Sequence, residues 1–363
     1  MLPANILQNI VRHNANRRQR IREDNIQRRI LRDASDPFSL RDENFIETFR
    51  LTKDMTRHVL GEIEPYLVNT QNPVAVPNLL KLLVALHFHA TGCYQRPLGQ
   101  NYMLNMSQSK ISRIISEVSL AIGHIANQWI RFPRTPAEKQ QIKGRFMEQT
   151  NFPGTVGAID GTHVALIAPS VEEHNYLNRK GYHSKNVQII CDYDMKILNI
   201  NCRYDGAAHD SYIWRNSIIQ MELEGCYNRG DRNTWLVGDS GYPQQCCLMT
   251  PIVNARPGTP QFNYTQAQMR ARNCVEKCIG VLKGRFRCLS NERKLRYSPD
   301  KVGQIIISCG VLHNIYIDRH LDIPFNIVNE DVNMNMMQNI AYNQPGQQAR
   351  VNLIQTYISN NVL

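Results

Sequence analysis

The sequence predicts an α/β protein, in which a helical N-terminal region precedes a sheet flanked by helices. Apolar residues recur at helical spacing up to about residue 150, which indicates helices. Short apolar runs without helical spacing begin at Val156, which indicates buried strands. Helical spacing returns beyond about residue 265. We therefore expect a basic arm at residues 1–36, a helical domain at 37–150, an α/β domain at 151–325 and a flexible tail at 326–363.

The composition of the chain favours a polyanionic partner. Among 363 residues, 42 lysines and arginines outnumber 31 aspartates and glutamates, and the formal net charge is +11. A net positive charge of this size favours binding to nucleic acid. The ten cysteines show no short paired framework and no apolar signal segment begins at Met1, which indicates a reducing, intracellular compartment. The most apolar runs, residues 79–88 and 305–317, are shorter than the ~20 residues that span a bilayer.

The basic arm contains eight arginines between residues 12 and 32, against two acids, Glu23 and Asp24. Such a segment can be a basic helix that lies on phosphates or a nuclear-import signal. A solvated charged arm without a partner gives the same pattern. The sequence leaves these alternatives open.

The helical domain begins with a predicted helix over residues 39–67, where Met55, Val59 and Ile63 share one face. A strongly apolar helix over residues 79–90 is expected to stop at Gly92, and a shorter segment follows Pro97.

A third helix of this domain begins after Ser107, a plausible N-cap. Its apolar residues form one stripe, which leaves Gln108, Lys110, Ser112 and Arg113 outside. This layout is typical of a helix-turn-helix, in which the exposed N-terminal turn of the last helix reads DNA. Lys110 and Arg113 are therefore candidate DNA-binding residues. A helical bundle that does not contact DNA gives the same pattern.

The α/β domain follows a polar helix that begins at Ala137. A short buried strand is expected to end at Asp160, followed by a meander of strands at residues 162–168, 187–191 and 197–202. We expect a helix over residues 211–223 and a further buried strand at 235–237. Two core helices are predicted over residues 265–289 and 302–317, and a short helix over 349–358.

Two carboxylates follow short apolar strands in the same way. Asp160 precedes a glycine and Asp239 precedes Ser-Gly. An isolated Asp-Gly pair is often only a turn, but a repeated arrangement at strand ends suggests a common site. Glu276 lies in the long predicted helix at the edge of its apolar stripe, so its side chain can overhang the strand ends.

These three acids offer the oxygen ligands that Mg²⁺ and Mn²⁺ prefer. A pair of such ions can clamp a phosphodiester for in-line displacement. Asp210, at the start of the 211–223 helix, offers a fourth acid for the same pocket.

Basic residues surround Glu276 in the sequence. Between Arg270 and Arg296, nine basic residues occur against two acids. Neutralisation of phosphates by such residues drives nucleic-acid binding, although a solvated helix face is the simpler reading. The residues that we expect to hold backbone phosphates here are Arg272, Lys283, Arg285 and Arg287.

Five motifs occur in a fixed order between about residues 150 and 320. They are V-G-A-I-D-G-T-H-V from Val156, N-R-K-G-Y-H-S-K-N-V-Q from Asn178, G-A-A-H-D-S from Gly206, G-D-S-G-Y-P from Gly238 and R-N-C-V-E-K-C-I-G-V-L-K-G-R-F from Arg272. In these motifs the chain resembles the PIF/Harbinger transposase superfamily and its domesticated, Harbinger-derived nucleases.

This resemblance implies a ribonuclease-H-like mixed sheet and a D-D-E metal site at Asp160, Asp239 and Glu276, with Asp210 as a further metal-site position. It also implies a helix-turn-helix within residues 74–125, a location in the nucleus with the cytoplasm as a further compartment, and a separate Myb-like DNA-binding protein as partner.

The sequence therefore predicts a DNA endonuclease that depends on Mg²⁺ or Mn²⁺ and hydrolyses phosphodiester bonds by a two-metal DDE mechanism. An alternative is a domesticated, catalytically silent protein that binds DNA or recruits a partner. A ribonuclease would share the metal site and differ only in substrate.

Overall fold

A computed structural model describes residues 4–68, 75–101, 103–319 and 343–358. The chain forms two compact units, Met1–Ala121 and Ile122–Leu363. In the described residues, no helix is both long enough and apolar enough to cross a membrane.

The first unit is helical. Residues 4–33 of the predicted basic arm (1–36) form one 30-residue helix. The predicted helix over 39–67 is two helices, because Arg50 adopts a left-handed conformation (φ 64°) and Thr52 caps a new helix by accepting from Met55 N. Its helices are α1 (Ala4–Asp33), α2 (Asp42–Phe49), α3 (Lys53–Ile63), α4 (Asn78–Thr91), α5 (Gln95–Gln100) and α6 (Gln108–His124), the last of which runs three residues into the second unit.

Helix α4 forms the centre of this unit. It ends at Gly92 as the sequence predicts, and the positive φ of that glycine (60°) costs no steric strain. Phe45 and Phe49 of α2 are fully buried where α2 packs on α4. Lys110 and Arg113 are exposed on α6, so their side chains are accessible, and their predicted contact with DNA stays a prediction.

The second unit contains, in its described part, a five-stranded sheet and eight α-helices. The strands are β1 (Thr155–Ala165), β2 (Ser184–Cys191), β3 (Ile197–Asp205), β4 (Trp235–Val237) and β5 (Leu248–Met249). The helices are α7 (Ala126–Trp129), α8 (Pro136–Thr150), α9 (Glu173–Tyr176), α10 (Asp210–Arg215), α11 (Ile218–Asn228), α12 (Pro260–Arg285), α13 (Pro299–Asp318) and α14 (Gln344–Leu353).

The sheet is mixed, with strand order β3-β2-β1-β4-β5. Strands β1, β2 and β3 pair antiparallel, as the predicted meander requires, whereas β4 is parallel to β1 and β5 is parallel to β4. The predicted class, a mixed sheet flanked by helices, is confirmed. The prediction of separate strands before and after Asp160 is wrong, because β1 continues through Asp160 and pairs with β2 up to Ala165.

One face of the sheet is covered by three helices. Helix α8 packs on β1, α12 packs on β1 and β2, and α13 packs on β3. Helix α8 begins in a capping box formed by Thr135 and Glu138. Because α8 packs on β1 and α12, the predicted domain boundary at residue 150 is wrong, and this helix belongs with the sheet.

The C-terminal segment is only partly described. The short helix predicted over 349–358 is confirmed by the end of α14 and the turn of π-helix after it. The predicted flexible tail is wrong for residues 343–358, because these two elements pack on β5 and α12. Gln244 Nε2 donates to Gly346 O at 3.0 Å, and a Cβ at Gly346 would overlap the backbone of Gln245. The rest of the predicted tail, 326–342 and 359–363, lies outside the described residues.

Candidate active site

Asp160 lies in the middle of β1, beside the point where the neighbouring strand β4 ends. Strand β4 pairs with β1 only through Ala158, which is opposite Val237, so Asp160 is two residues beyond the last pair. Gly161 N donates to Asp160 Oδ1 at 2.9 Å. The site is therefore at the C-terminal end of β4, although β1 itself does not end there.

Asp239 lies at the same level of the sheet. Asp239 is two residues after Val237 of β4, and Asp160 is two residues after Ala158 of β1. Val237 and Ala158 are paired in the sheet, so the two acids are at the same distance beyond one pair. Gly241 N donates to Asp239 Oδ1 at 2.9 Å, which fixes the carboxylate at the start of the turn. Parallel pairing therefore brings together two acids that are far apart in the sequence.

Helix α12 adds Glu276 through an arginine. Arg272 Nη2 donates to Asp160 Oδ2 at 3.0 Å, and its Nη1 lies 3.1 Å from Glu276 Oε1, one helical turn further along. Arg272 thus bridges an acid of the sheet and an acid of the helix. The predicted role of Arg272 in holding a backbone phosphate does not fit this arrangement, since two carboxylates already compensate its charge.

Asp210, the first residue of α10, approaches from the opposite face of the sheet. Side chains alternate along β1, so Asp160 faces α12 while Gly161 faces α10. A Cβ at Gly161 would overlap the Asp210 carboxylate, so only glycine allows this approach. Asn186 Nδ2 donates to Asp210 Oδ1 at 2.8 Å and fixes the carboxylate. The Asp-Gly pair at 160–161 is thus required by packing across the sheet and is not a turn.

The acids interact electrostatically. Burial raises the pKa of Asp160, Arg272 opposes this shift, and the charges of Asp239 and Asp210 add to it, so that the pKa is raised to about 7. Burial also raises the pKa of Asp210, with the charge of Asp239 adding to the effect and the Asn186 hydrogen bond opposing it. These shifts indicate carboxylates that are close together and short of positive charge.

The donor set fits a hard divalent cation. Within the described ranges, no three His, Cys, Asp or Glu side chains are already arranged as a metal cage. The guanidinium of Arg272 nevertheless occupies the position of a cation between Asp160 and Glu276. Carboxylate oxygens suit Mg²⁺ and Mn²⁺, which retain several waters and need few protein ligands. The residues that would hold such ions are Asp160, Asp210, Asp239 and Glu276.

Two buried polar residues beside the acids do not emerge from the sequence reasoning. Tyr242 is fully buried, and burial together with the charges of Asp210, Asp160 and Asp239 raises the pKa of its hydroxyl. Gln188, opposite Gly161 on β2, is also buried, and its side chain lies beside the Tyr242 hydroxyl, where it opposes the rise in the pKa of that hydroxyl. These two side chains therefore add buried polar groups to the surroundings of the acids. Both lie in motifs that the resemblance singles out.

Two of the predicted phosphate-binding residues are structural. Lys283 is 1% exposed and donates to the backbone oxygen of His163 at 2.9 Å, which anchors β1 to α12. Arg285 is fully buried, with its guanidinium 3.6 Å from the centre of the Tyr316 ring and Nη1 3.3 Å from His313 Nδ1. The prediction that Lys283 and Arg285 hold DNA is wrong because neither side chain reaches the surface. Arg287 is half exposed beyond the end of α12, and its predicted contact with DNA stays a prediction.

Comparison with known proteins agrees with this fold. The model of the DDE superfamily endonuclease family matches residues 159–314, which run from β1 into α13 and include all four acids. This match agrees with the ribonuclease-H-like fold that the resemblance implies. No solved structure matches the chain.

The curated relatives include vertebrate and plant proteins. The human protein "Putative nuclease HARBI1" is 34% identical over 256 residues, which cover 70% of this chain and 71% of the relative, and the Bos taurus protein of the same name is 33% identical over the same shares. The Arabidopsis thaliana "Protein ALP1-like" is 25% identical over 322 residues, 81% of this chain and 74% of the relative.

Proposed function

The chain belongs to the Harbinger transposase-derived nucleases of the DDE endonuclease superfamily, and on this premise we propose that it hydrolyses DNA phosphodiester bonds with Mg²⁺ or Mn²⁺. The observation that carries the proposal is the convergence of four acids at the end of β4. They come from two strands of the sheet and from a helix on each face. Such an excess of buried negative charge needs a cation.

Each side chain has a distinct task in this proposal. Asp160, Asp239 and Glu276 are the catalytic metal ligands, and Asp210, oriented by Asn186, is a further ligand. Arg272 holds Asp160 and Glu276 in place by contacts of 3.0 and 3.1 Å. When bound, a pair of divalent ions supplies activation of the attacking water and stabilisation of the leaving oxygen.

The test is Asp160→Asn in a Mn²⁺-dependent DNA nicking assay. Asparagine keeps the size of the side chain and the acceptor for Gly161 N but removes the charge. We expect nicking to fall by at least about 100-fold, with the fold and metal-free DNA binding unchanged. A matched control is Asp192→Asn, which removes another largely buried acid outside the site. Nicking by Asp160→Asn at the rate of the parent would show that the site assignment is wrong.

A second candidate is a catalytically silent protein that binds DNA or recruits a partner. The observation that favours it is the ion-pair arrangement of Arg272, which compensates Asp160 and Glu276 without any metal. A fold stabilised in this way can persist after catalysis is lost. Saturable Mn²⁺ binding separates the two candidates, and nicking of matched DNA and RNA strands separates a deoxyribonuclease from a ribonuclease.

The proposal also includes a nuclear location, with the cytoplasm as a further compartment, and a Myb-like protein as partner on DNA. The net charge of +11 and the eight arginines between residues 12 and 32 are in keeping with it. A fluorescent fusion tests the location, and deletion of residues 1–36 is expected to reduce nuclear accumulation. A fusion excluded from the nucleus would contradict this part of the proposal.

A further inference from the structure

A cleft of about 520 Å³ opens beside Asp210 on the α10 face of the sheet. It is lined by His163 of β1, Asn186 of β2, Arg179 and Lys180 of the loop before β2, and residues 206–210. It therefore continues from the acids along the sheet. The motifs from Asn178 and from Gly206, of which the catalytic proposal uses only Asn186 and Asp210, form its two walls.

The first wall is a rigid loop. Asn178 is buried, and its Oδ1 accepts from Lys180 N at 2.9 Å and from Tyr182 N at 3.3 Å. Its Nδ2 donates to Ser184 Oγ at 2.9 Å, which ties the loop to the start of β2. Gly181 turns the chain with φ +80°. The backbone at Arg179 and Lys180 is thus held in place, so both side chains project from a preformed turn.

The second wall is packed against the first. A Cβ at Gly206 would overlap the Ser184 hydroxyl and the Tyr176 carbonyl, so the close approach of the two segments requires glycine. Ala207 N donates to Asn175 O at 2.9 Å. The wall then leads directly into His209 and Asp210, where α10 begins.

The two basic side chains of this cleft are not held in ion pairs. In the part of the chain that the structure describes, neither Arg179 nor Lys180 forms an ion pair with a carboxylate, and both are exposed. Arg179 Nη2 lies 2.9 Å from both ring nitrogens of His209, so the guanidinium lies over the ring.

Asn186 supplies an independent indication of a ligand. Its side chain is 3% exposed and lines the cleft, and Nδ2 donates to both Ala208 O and Asp210 Oδ1. These two bonds fix the amide, and Oδ1 has no hydrogen-bond partner among the described residues. A buried acceptor without a partner is costly unless a bound group donates to it. A base amino group can supply that donor.

We propose that this cleft binds one unpaired strand of DNA next to the scissile bond, with Arg179 and Lys180 on its phosphates. This inference rests on the proposed nuclease function and adds the form of the substrate. A cleft of this size is in the range of small-molecule sites and is too small for a double helix. Basic side chains that follow a strand without acidic partners are typical of single-strand grooves.

The test compares Arg179→Gln/Lys180→Gln with the parent by fluorescence anisotropy, using a labelled single-stranded oligonucleotide and a labelled duplex in EDTA. We expect single-strand affinity to fall by about 10-fold, and the slope of log K against log salt to fall by about 1.4, because two phosphate contacts are lost. Duplex affinity should fall by less. Arg232→Gln is the matched control, since this exposed arginine lies against Tyr227 and outside the cleft.

The outcome is distinguishable from that of the nuclease proposal because no metal is present. If Asp160→Asn fails to stop nicking but the double variant loses single-strand binding, the cleft assignment stands and the acid assignment fails. Unchanged single-strand binding in the double variant, or an equal loss in Arg232→Gln, would overturn the inference. So would the absence of any metal-free single-strand binding by the parent. Far-ultraviolet circular dichroism and thermal melting of both variants should match the parent, since the substituted side chains are exposed.

Discussion

Basic residues of helix α12 and basic residues of the loop at 178–183 contribute to the same net positive charge, yet the structure uses them differently. Lys283 and Arg285 of α12 are buried, and Arg272 is paired with two carboxylates. Arg179 and Lys180 are exposed and, within the described residues, have no carboxylate partner. The surroundings of a cation, more than its position near a catalytic acid, therefore indicate whether it can bind DNA.

The physical reason lies in the cost of burial. A cation taken out of water must find hydrogen-bond acceptors, aromatic faces or anions inside the protein. Lys283 finds the His163 carbonyl and Arg285 finds the Tyr316 ring, so both charges stabilise the packing of α12. An exposed cation keeps its hydration and can exchange it for a phosphate, with release of counterions. The two groups should therefore respond differently to substitution.

The largest expected effect on stability comes from the buried cations of α12. Arg285→Ala removes a fully buried side chain and its contact with Tyr316, so we expect a loss of about 3 kcal/mol in the free energy of unfolding. Its matched control is Arg287→Ala, two residues further on and half exposed, with an expected loss below about 0.5 kcal/mol. Urea denaturation of both variants provides the measurement. Equal losses would break the distinction between buried and exposed cations.

A smaller effect concerns a buried charge of the opposite sign. Burial raises the pKa of Asp192, in the turn between β2 and β3, to about 7 from an ordinary value of 3.8, while the hydrogen bond from Lys196 N at 2.8 Å opposes the shift. The folded state therefore keeps a proton that the unfolded chain releases, and stability falls as pH rises through this window. Asp192→Asn removes the cost of this buried charge and should raise the free energy of unfolding by about 2 kcal/mol at about pH 8. This figure is smaller than the pKa shift alone implies, because the side chain keeps partial contact with solvent.

This gain should shrink to below about 0.5 kcal/mol as the pH falls to about 4, where the carboxyl is protonated in the folded state and about half protonated in the unfolded chain. The matched control is Asp194→Asn, because Asp194 is exposed and paired with Arg145 at 2.9 Å. Asp194→Asn should lower the free energy of unfolding by less than about 1 kcal/mol and should not raise it at high pH. Urea denaturation at the two pH values distinguishes the variants. A gain for Asp192→Asn that is independent of pH would contradict the role assigned to burial.

The sequence predicted the parts of the site that depend on strands. Residues 187–191, 197–202 and 235–237 lie in strands, and the acids at 160 and 239 meet because their strands are parallel neighbours. The sequence could not show that β1 continues past Asp160, because Gly161 looks like a turn residue until Asp210 is seen against it. Likewise, helical spacing alone did not show that Lys283 and Arg285 face the sheet and its supporting helix.

Other parts depend on contacts between distant segments. Helix α8 has the polar composition of a connecting helix, yet it packs on β1, so the boundary at residue 150 could not be predicted from composition. Asn186, Gln188 and Tyr242 lie in strand or turn positions where a polar residue is usually solvated. Only their burial beside the acids marks them as part of the site.

The central claim is that the acids at the end of β4 form a site for divalent metal, and calorimetric titration with Mn²⁺ tests it most directly. We expect saturable Mn²⁺ binding by the parent and binding weakened by at least about 10-fold in Glu276→Gln. The matched control is Glu292→Gln, which removes an exposed acid paired with Arg287 and should retain Mn²⁺ binding. Absence of saturable binding by the parent, or equal binding by Glu276→Gln and the parent, would contradict the claim.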